Sequence, residues 1–173
     1  MTENYYLQVN DLNKNFGGIS ALSGINIEIN NNDFIGLIGP NGSGKTTLIN
    51  LISGIYKASK GKIYFNEENI TDYNSIKMHQ LGICRTFQNT RLINDINLIE
   101  NIQLGIISSI KKKLTSQFFR ERLLYEKIKY NKQTDELIKI FLPHIKNLDI
   151  EVSSLSNIDK KRIEICRAMI GKP

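Results

Sequence analysis

The sequence predicts an α/β fold with a small antiparallel sheet in its first part and mainly helical structure in its second. Apolar and polar residues alternate in the first part, a short apolar run at 34–38 precedes a glycine-rich loop and a helix, and apolar residues at helical spacing begin near residue 95. An alternation of period two is typical of half-buried strands, whereas spacings of three and four residues are typical of helices.

Three strands are predicted for the antiparallel sheet. Isoleucine alternates with polar residues over 25–30, which indicates a half-buried strand. Its predicted neighbours are Tyr6–Val9 and Lys62–Phe65, and the second of these follows the turn signal Lys60-Gly61.

A different kind of strand is predicted for Phe34–Ile38. This run is short and almost wholly apolar, which is typical of a strand buried on both faces of a parallel sheet. A glycine-rich loop follows, and then a helix predicted from Lys45 to Ser53, with Gly54 as its C-terminal stop.

The second half is predicted to be mainly helical between about residues 95 and 142. Apolar residues at helical spacing in this stretch include Phe118, Phe119, Leu123 and Leu124. A last helix is predicted to begin near Ser156, whose hydroxyl can cap it, with Asp159 three residues later as an approximate capping box. This helix is expected to end at Gly171.

Composition excludes several classes of protein. The 173 residues have a net charge of +6 and 40% hydrophobic residues, which suits one globular domain. Two cysteines cannot build a disulfide framework or a four-thiolate zinc site, so a reducing cytoplasm fits. The sequence offers no leader and no apolar run of about 18 residues, so we predict neither secretion nor a membrane span. The basic clusters at 111–113 and 160–162 are expected to be solvated helix faces.

The segment Gly39–Thr46 fits the pattern G-x-x-x-x-G-K-[ST] between an apolar run and a helix, the context that a P-loop requires. Its glycines let successive backbone N–H groups converge on phosphate oxygens at the positive end of the helix. Lys45 would reach the β- and γ-phosphates, Thr46 would offer its hydroxyl to Mg²⁺, and Thr47 is placed for the α-phosphate. The predicted phosphate-binding residues are Gly39, Asn41, Gly42, Ser43, Gly44, Lys45, Thr46 and Thr47.

Together with two other segments, the P-loop gives the sequence a family resemblance. The chain resembles the ATP-binding subunits of ABC transporters over its whole length, and is most similar to those that serve branched-chain amino-acid uptake. The residues that carry the resemblance are Asn15–Gly18, Gly36–Gly42 and Arg85–Asn89, of which Arg85-Thr86-Phe87-Gln88 is the most discriminating. The resemblance implies a P-loop NTPase fold with ATP and Mg²⁺ as cofactors.

The resemblance also implies roles for two residues outside the P-loop. Phe16 matches the aromatic residue that stacks on adenine, although an aromatic side chain before two glycines is also compatible with a plain core position. Gln88 matches the glutamine whose amide reaches Mg²⁺ or the attacking water, and whose loop contacts the membrane subunits. Thr46 and Gln88 are therefore the predicted Mg²⁺ ligands.

The family's signature, usually Leu-Ser-x-Gly-Gln, is altered in this chain. Leu155-Ser156 opens it, and the resemblance implies that Ser156 contacts the ATP held by a partner subunit. Ile158 and Asp159 replace the usual glycine and glutamine. A Cβ obstructs the close approach of phosphate to the backbone, and a carboxylate repels it. We expect both changes to weaken this contact.

A second departure concerns the strand that ends in Asp-Glu and follows the signature helix in the family. We expect it just after Gly171-Lys172-Pro173, where the sequence stops, so the core sheet is expected to be incomplete and the catalytic Glu and second Mg²⁺-binding Asp to be absent. Asp135-Glu136 is predicted to open a helix and cannot replace them. His79 and His144 do not match the family's switch histidine, and we expect both on the surface.

The resemblance implies an organisation in three parts. Residues 1–88 would form the nucleotide-binding core, 89–155 a helical subdomain and 156–173 the signature helix. The chain would be the ATP-binding component of an importer for branched-chain or other hydrophobic amino acids, binding ATP without hydrolysing it alone. Its expected partners are membrane permeases, a second ATP-binding subunit and, indirectly, an extracytoplasmic solute-binding protein. It would lie in the cytoplasm, on the inner face of the plasma membrane.

Two other interpretations remain open at this point. The chain could be a non-catalytic fragment from a decayed or split gene, and among these origins the altered signature favours decay. It could instead be a related ATPase in lipid export or on nucleic acid, for which the net charge of +6 is weak support. The segment Arg85-Thr86-Phe87-Gln88 argues against this last interpretation, and we expect no nucleic-acid partner.

Overall fold

The computed structural model describes residues 5–106 and 132–173. The chain forms two compact units, Met1–Met78 and His79–Pro173. The domain boundaries predicted after residues 88 and 155 stay predictions. The predicted helical residues Phe118, Phe119, Leu123 and Leu124 lie outside the described residues.

The first unit is built on a four-stranded sheet. Its strands are β1 (Leu7–Phe16), β2 (Ile19–Ile29), β3 (Lys60–Phe65) and β4 (Glu68–Asn69). Their order in the sheet is β2-β1-β3-β4, and every neighbouring pair is antiparallel. The predicted antiparallel sheet is confirmed, and its first two strands are longer than the sequence indicated.

One face of this sheet is buried. Leu7, Val9 and Leu12 of β1 are buried, as are Ile63 and Phe65 of β3. Along β2, residues 25–30 alternate between half-buried and exposed positions, as the period of two predicted. Burial of one face fixes the register of the strands, because a slip of one residue would turn the apolar side chains towards water.

The prediction of a buried strand at Phe34–Ile38 is wrong. These residues form no strand; Phe34 is fully exposed and Ile38 is 95% exposed. A strand forms when a neighbour accepts and donates its backbone hydrogen bonds, and among residues 5–106 and 132–173 no segment pairs with 34–38. The parallel core sheet that this run would join is not formed by the described residues, as the expected incomplete sheet implied.

The first helix of the chain lies within the first unit, and the second helix begins there and ends two residues into the second unit. Helix α1 spans Lys45–Ile52, with Ser53 as its C-terminal cap and Gly54 in the left-handed region at φ 70°. Both the helix and its predicted stop are confirmed. Helix α2 spans Ser75–Gln80.

The second unit is helical in its described part. Its helices are α3 (Leu98–Gln103), α4 (residues 132–141) and α5 (Asn157–Met169), with 3-10 turns at Leu104–Ile106 and Val152–Ser154. The Asp135-Glu136 pair lies in α4, which confirms its helical setting; residues 132–134 are already helical, so the pair does not open the helix as predicted. In the part of the chain that the structure describes, no helix is long and apolar enough to cross a membrane.

A hydrophobic core joins the helices of the second unit. Its buried members are Leu98, Ile102, Ile106, Ile138, Leu142, Val152, Ile163, Cys166 and Ile170. The backbone after α3 approaches α5 so closely that a Cβ on Gly105 would stand 2.0 Å from the Arg167 carbonyl oxygen. Buried Asn101 donates to the carbonyls of Ile93, Ile96 and Asn97, and so fixes the loop before α3.

The two histidines differ in their surroundings. His144 is exposed, as predicted. His79 is half-buried, which corrects the surface position expected for it: its Nε2 lies 2.8 Å from the Gly105 carbonyl oxygen, and its Nδ1 lies 3.3 Å from Cys84 Sγ. The sequence could not reveal this position because Gly105 is distant along the chain.

The exposure of residues 34–38 predicts how substitutions there behave. The double variant Phe34→Ser/Ile38→Thr should change the free energy of unfolding by less than about 0.5 kcal/mol, because it removes no buried contact. It should also lower light scattering at high protein concentration, because it removes an exposed apolar run. Leu12→Ala, at a fully buried position, should cost about 2–5 kcal/mol. Urea unfolding of the three proteins measures this, and equal losses in both variants would show that 34–38 is packed in solution.

Candidate functional site

The glycine-rich loop ends at the first turn of α1. Gly44 is the N-cap residue of this helix at φ 87°, and no side chain caps it. The first turn carries no acidic residue, so no carboxylate of that turn offsets the positive end of the helix. The N–H groups of a first helical turn lack acceptors within the helix and favour an anion.

Contact with β2 fixes the start of α1. A Cβ on Gly44 would stand 2.6 Å from Leu22 Cδ2 and 2.7 Å from the Ala21 carbonyl oxygen. Only glycine allows this approach, and the left-handed φ also favours glycine. The loop is therefore held against the antiparallel sheet at its C-terminal end.

The Lys45 ammonium lies against the loop itself. Its Nζ donates to the carbonyl oxygens of Gly39 and Pro40 at 2.6 Å each, and lies 3.4 Å from Ser43 Oγ. The ammonium is a mobile cation on a flexible stem, so it can exchange these neutral acceptors for charged ones. The loop thus presents a lysine and a helix N-terminus in one place.

The structure brings all predicted phosphate-binding residues together in this loop and the first turn of α1. Asn41, Gly42, Ser43 and Thr46 are exposed, and Thr47 is half-buried. A Cβ on Gly42 would meet nothing within 4 Å, so the space over this part of the loop is open. An open loop that leads into a helix N-terminus without a side-chain cap and carries a lysine suits the phosphates of a nucleotide.

Phe16 lies at the end of β1 and is 42% exposed. Its ring meets Tyr56 edge to face, with 5.3 Å between centroids and 77° between planes. Lys14 Nζ lies 4.9 Å from the centroid of the Phe16 ring. The alternative of a plain core position does not fit this exposure. The sequence did not single out Tyr56 or Lys14, since neither belongs to a motif.

Gln88 belongs to the second unit, whereas Thr46 belongs to the first. Gln88 is exposed and lines a cavity of about 650 Å³ beside the first half of α5. The other lining residues are Asn89, Thr90, Asn157, Ile158, Lys161, Arg162 and Ile165. The joint Mg²⁺ role of Thr46 and Gln88 stays a prediction.

A buried carboxylate next to Gln88 was missed by the sequence reasoning. Glu164 is 1% exposed, and its Oε1 accepts a hydrogen bond from the Phe87 N–H at 3.1 Å. Its Oε2 accepts from Lys161 Nζ at 2.8 Å, and Lys161 also donates to the Phe87 carbonyl. Lys161 was expected on a solvated helix face; its side chain is 38% exposed, but its ammonium is bound by Glu164 and the Phe87 carbonyl. Glu164 directly follows buried Ile163, and this was the one sequence signal for it.

Ser156 caps α5, as predicted. Its Oγ accepts from the Asp159 N–H at 3.1 Å and donates to Asp159 Oδ2 at 2.7 Å. Arg162 NH1 and His144 Nε2 lie 3.1 and 3.0 Å from Asp159 Oδ1. The hydrogen bond from Ser156 lowers the pKa of the Asp159 carboxyl; His144 and Arg162 act in the same direction, whereas partial burial opposes them. Asp159 therefore holds a negative charge at the N-terminus of α5.

Comparison with known proteins identifies the family. Residues 22–173 match the family model for ABC transporters. The chain belongs to the ABC transporter family. It is 35% identical over 167 residues to the probable branched-chain amino acid transport ATP-binding protein LivG of Methanocaldococcus jannaschii. It is 31% identical over 171 residues to the high-affinity branched-chain amino acid transport ATP-binding protein LivG of Escherichia coli K12.

Solved ABC cassettes share the fold of this ABC chain. A nucleotide-free ATP-binding cassette from an ABC transporter superposes with a TM-score of 0.79 at 33% identity, covering 98% of this chain and 66% of that one. An ATP-binding cassette in its ADP conformation gives a TM-score of 0.75 at 31% identity, with the same coverage. The two LivG alignments include 96% of this chain. They include 64% of the archaeal protein and 66% of the bacterial protein, so the chain spans about two thirds of the length of these relatives.

The lowered pKa of the Asp159 carboxyl, caused mainly by the hydrogen bond from Ser156, predicts a pH-dependent contribution to stability. A carboxyl with a lowered pKa in the folded state stabilises the fold above its unfolded pKa of about 3.9, and loses this effect as the pH falls through the folded value. Asp159→Asn should therefore unfold at lower urea concentration than the native protein at pH 7.

The difference between the two proteins should begin to shrink below about pH 4, where the carboxyl of the unfolded chain takes up a proton first, and should vanish once the folded carboxyl is protonated as well. Asp149→Asn, at an exposed carboxylate of the same unit, is the matched control and should change little at either pH. A difference for Asp159→Asn that stayed constant from pH 7 to pH 3 would contradict this assignment.

Proposed function

We propose that the chain binds ATP with Mg²⁺ and serves as the ATP-binding component of an ABC importer for branched-chain or other hydrophobic amino acids. The observation that supports nucleotide binding most directly is the joint presence of the Lys45 ammonium and the uncapped N-terminus of α1 at one open loop. Both attract phosphate, and the loop around them presents no acidic side chain from the first turn of α1.

Each part of the loop has a distinct task in this function. The N–H groups at the start of α1 bind phosphate oxygens, and Lys45 turns from its two carbonyl acceptors to the β- and γ-phosphates. Thr46 directs its hydroxyl to the metal, with Gln88 as a second ligand, and Thr47 binds the α-phosphate. Mg²⁺, when bound, neutralises part of the charge on the phosphate oxygens. Since a charged acceptor makes a stronger hydrogen bond than a carbonyl, the exchange at Lys45 favours binding.

Phe16 supplies the contact to the base. Its exposed ring is already oriented by Tyr56 at one edge, so less side-chain entropy is lost when adenine stacks on it. Stacking of a base on an aromatic side chain contributes about 1–3 kcal/mol. Lys14, near the same ring, adds positive charge on this side of the unit.

The transport role is supported by the relatives and by the segment Arg85-Thr86-Phe87-Gln88. Two LivG proteins at 31–35% identity are described as branched-chain amino acid transport ATP-binding proteins. We infer the same substrate class for the system in which this chain works, with membrane permeases, a second ATP-binding subunit and an extracytoplasmic solute-binding protein as partners. The chain would then lie on the inner face of the plasma membrane.

A non-catalytic form of this role is favoured by the N-terminus of α5. The Ser156 hydroxyl is engaged by Asp159, and the 66% exposed Ile158 stands where the family has glycine. A carboxylate and a branched side chain both oppose a phosphate approaching from a partner subunit. Nucleotide binding, rather than hydrolysis, is therefore the activity that we assign to the 173 residues alone.

The P-loop assignment is tested by Lys45→Ala. Loss of a charge-assisted contact of about 1.5–3 kcal/mol should weaken ATP binding roughly 10- to 100-fold. Titration calorimetry of ATP and Mg²⁺ into both proteins measures the change. Lys62→Ala, which removes an exposed lysine from β3, should bind like the native chain. Equal ATP affinity for the native chain and Lys45→Ala would overturn the assignment.

The adenine contact is tested by Phe16→Ala. This variant should weaken ATP and ADP by a similar factor, about 5- to 100-fold, while inorganic triphosphate binds unchanged, because stacking involves the base and not the phosphates. Phe34→Ala, another exposed aromatic residue of the same unit, is the control and should leave all three affinities unchanged. A parallel loss of triphosphate affinity in Phe16→Ala would mean that Phe16 supports the fold instead.

A further inference from the structure

The buried Glu164 carboxylate on α5 has no task in the function described so far. A buried charge is costly to desolvate, and an apolar residue would fill this position at lower cost if packing were its purpose. The donors around Glu164 are the Phe87 N–H, Lys161 and Arg167, and each of them belongs to or binds one short segment, residues 85–91. This placement indicates that the carboxylate organises that segment.

The segment is held first at Phe87. Glu164 accepts the Phe87 N–H, and Lys161, itself paired with Glu164 at 2.8 Å, donates to the Phe87 carbonyl. Both backbone polar groups of Phe87 are thus bound by two side chains of one helix. The Phe87 carbonyl belongs to the peptide group that joins Phe87 to Gln88. This contact therefore fixes the backbone immediately before the Gln88 side chain.

The segment is held again at Arg91. Arg167 NH1 donates to the Arg91 carbonyl at 2.7 Å, and Arg167 NH2 lies 3.8 Å from Glu164 Oε1. The guanidinium carbons of Arg85 and Arg91 lie 4.9 and 4.3 Å from the centroid of the Phe87 ring. Residues 88–90 therefore span two points fixed to α5, and all three are exposed.

We propose that Glu164 is a positioning residue for Gln88: with Lys161 it clamps the Phe87 backbone to α5 and so sets where the Gln88 amide lies when Mg²⁺–ATP binds. This role rests on the proposed ATP–Mg²⁺ function and adds a residue to which the sequence analysis gave no role. Movement of α5 would move Gln88 with it, because Glu164 and Lys161 of α5 both bind the backbone of Phe87, the residue before Gln88.

The experiment compares the full chain with Glu164→Ala, Glu164→Gln and the control Glu151→Gln, an exposed carboxylate of the same unit. Titration with ATP is carried out with Mg²⁺ and with EDTA, and the ratio of the two affinities measures the whole contribution of the metal to binding, of which the share of Gln88 is one part. In Glu164→Ala this ratio should fall by about fivefold or more, while the affinity in EDTA changes less than about twofold. Glu164→Gln keeps an oxygen for the Phe87 N–H but loses the second acceptor for Lys161, so its ratio should lie between those of the native chain and Glu164→Ala, and Glu151→Gln should equal the native chain.

Amide hydrogen exchange of the nucleotide-free proteins gives a second readout. The Phe87 amide should lose protection in Glu164→Ala and retain it in Glu164→Gln. If Glu164→Ala does not fold, Lys161→Met, which removes the donor to the Phe87 carbonyl and keeps an apolar stem, should lower the Mg²⁺ ratio in its place.

The outcomes separate this inference from the proposed function. ATP binding with an unchanged Mg²⁺ ratio in Glu164→Ala, or in Lys161→Met where the first variant is unfolded, overturns the positioning role and leaves the proposed function intact. A native chain that binds no ATP overturns the proposed function together with the coupling to Mg²⁺. In that case loss of Phe87 protection in Glu164→Ala alone still supports the clamp, and unchanged protection overturns it.

Discussion

The pairing of β1 with a strand on each side is the constraint on which the first unit depends. Because β2 and β3 both hydrogen-bond to β1, the buried face of the sheet has one register, and β2 presents Ala21 and Leu22 at a fixed place. Gly44 fits against that place, and with it the start of α1 and the lysine that follows. The C-terminal end of the glycine-rich loop therefore owes its position to a sheet that contains none of the predicted phosphate-binding residues. Phe16 likewise depends on β1, since it is the last residue of that strand.

Local patterns predicted the elements that are stabilised locally. The alternation over 25–30 needs only one buried face, α1 has its own glycine stop, and α5 has its own serine cap, so all three were correct. The run Phe34–Ile38 was read from the same kind of pattern and was wrong as a strand. An apolar composition indicates that a segment prefers burial. A strand also needs a neighbouring strand for its backbone hydrogen bonds, and the local sequence does not show whether such a neighbour exists.

The candidate site shows the same division. The P-loop was predictable residue by residue, because its chemistry lies in consecutive positions. The surroundings of Gln88 were not, since Glu164 and Lys161 lie more than 70 positions away in the sequence and were given no role beside Gln88. The position of Glu164 near Ile163 and Cys166 on one helix indicates burial, but it does not predict which groups Glu164 contacts. Tyr56, which meets Phe16 from outside its strand, was missed for the same reason.

The Lys45 ammonium, bound to the Gly39 and Pro40 carbonyls, also determines how the loop responds to a ligand. A loop that carries its own cation as an internal brace keeps its curvature in the empty protein, and its shape does not have to be assembled on each encounter. In the proposed function, the arrival of a phosphate would replace one set of oxygens around the nitrogen with another. Such an exchange would give a small heat-capacity change and an association rate set by diffusion and charge, instead of the slow, strongly temperature-dependent binding that folding around a ligand produces.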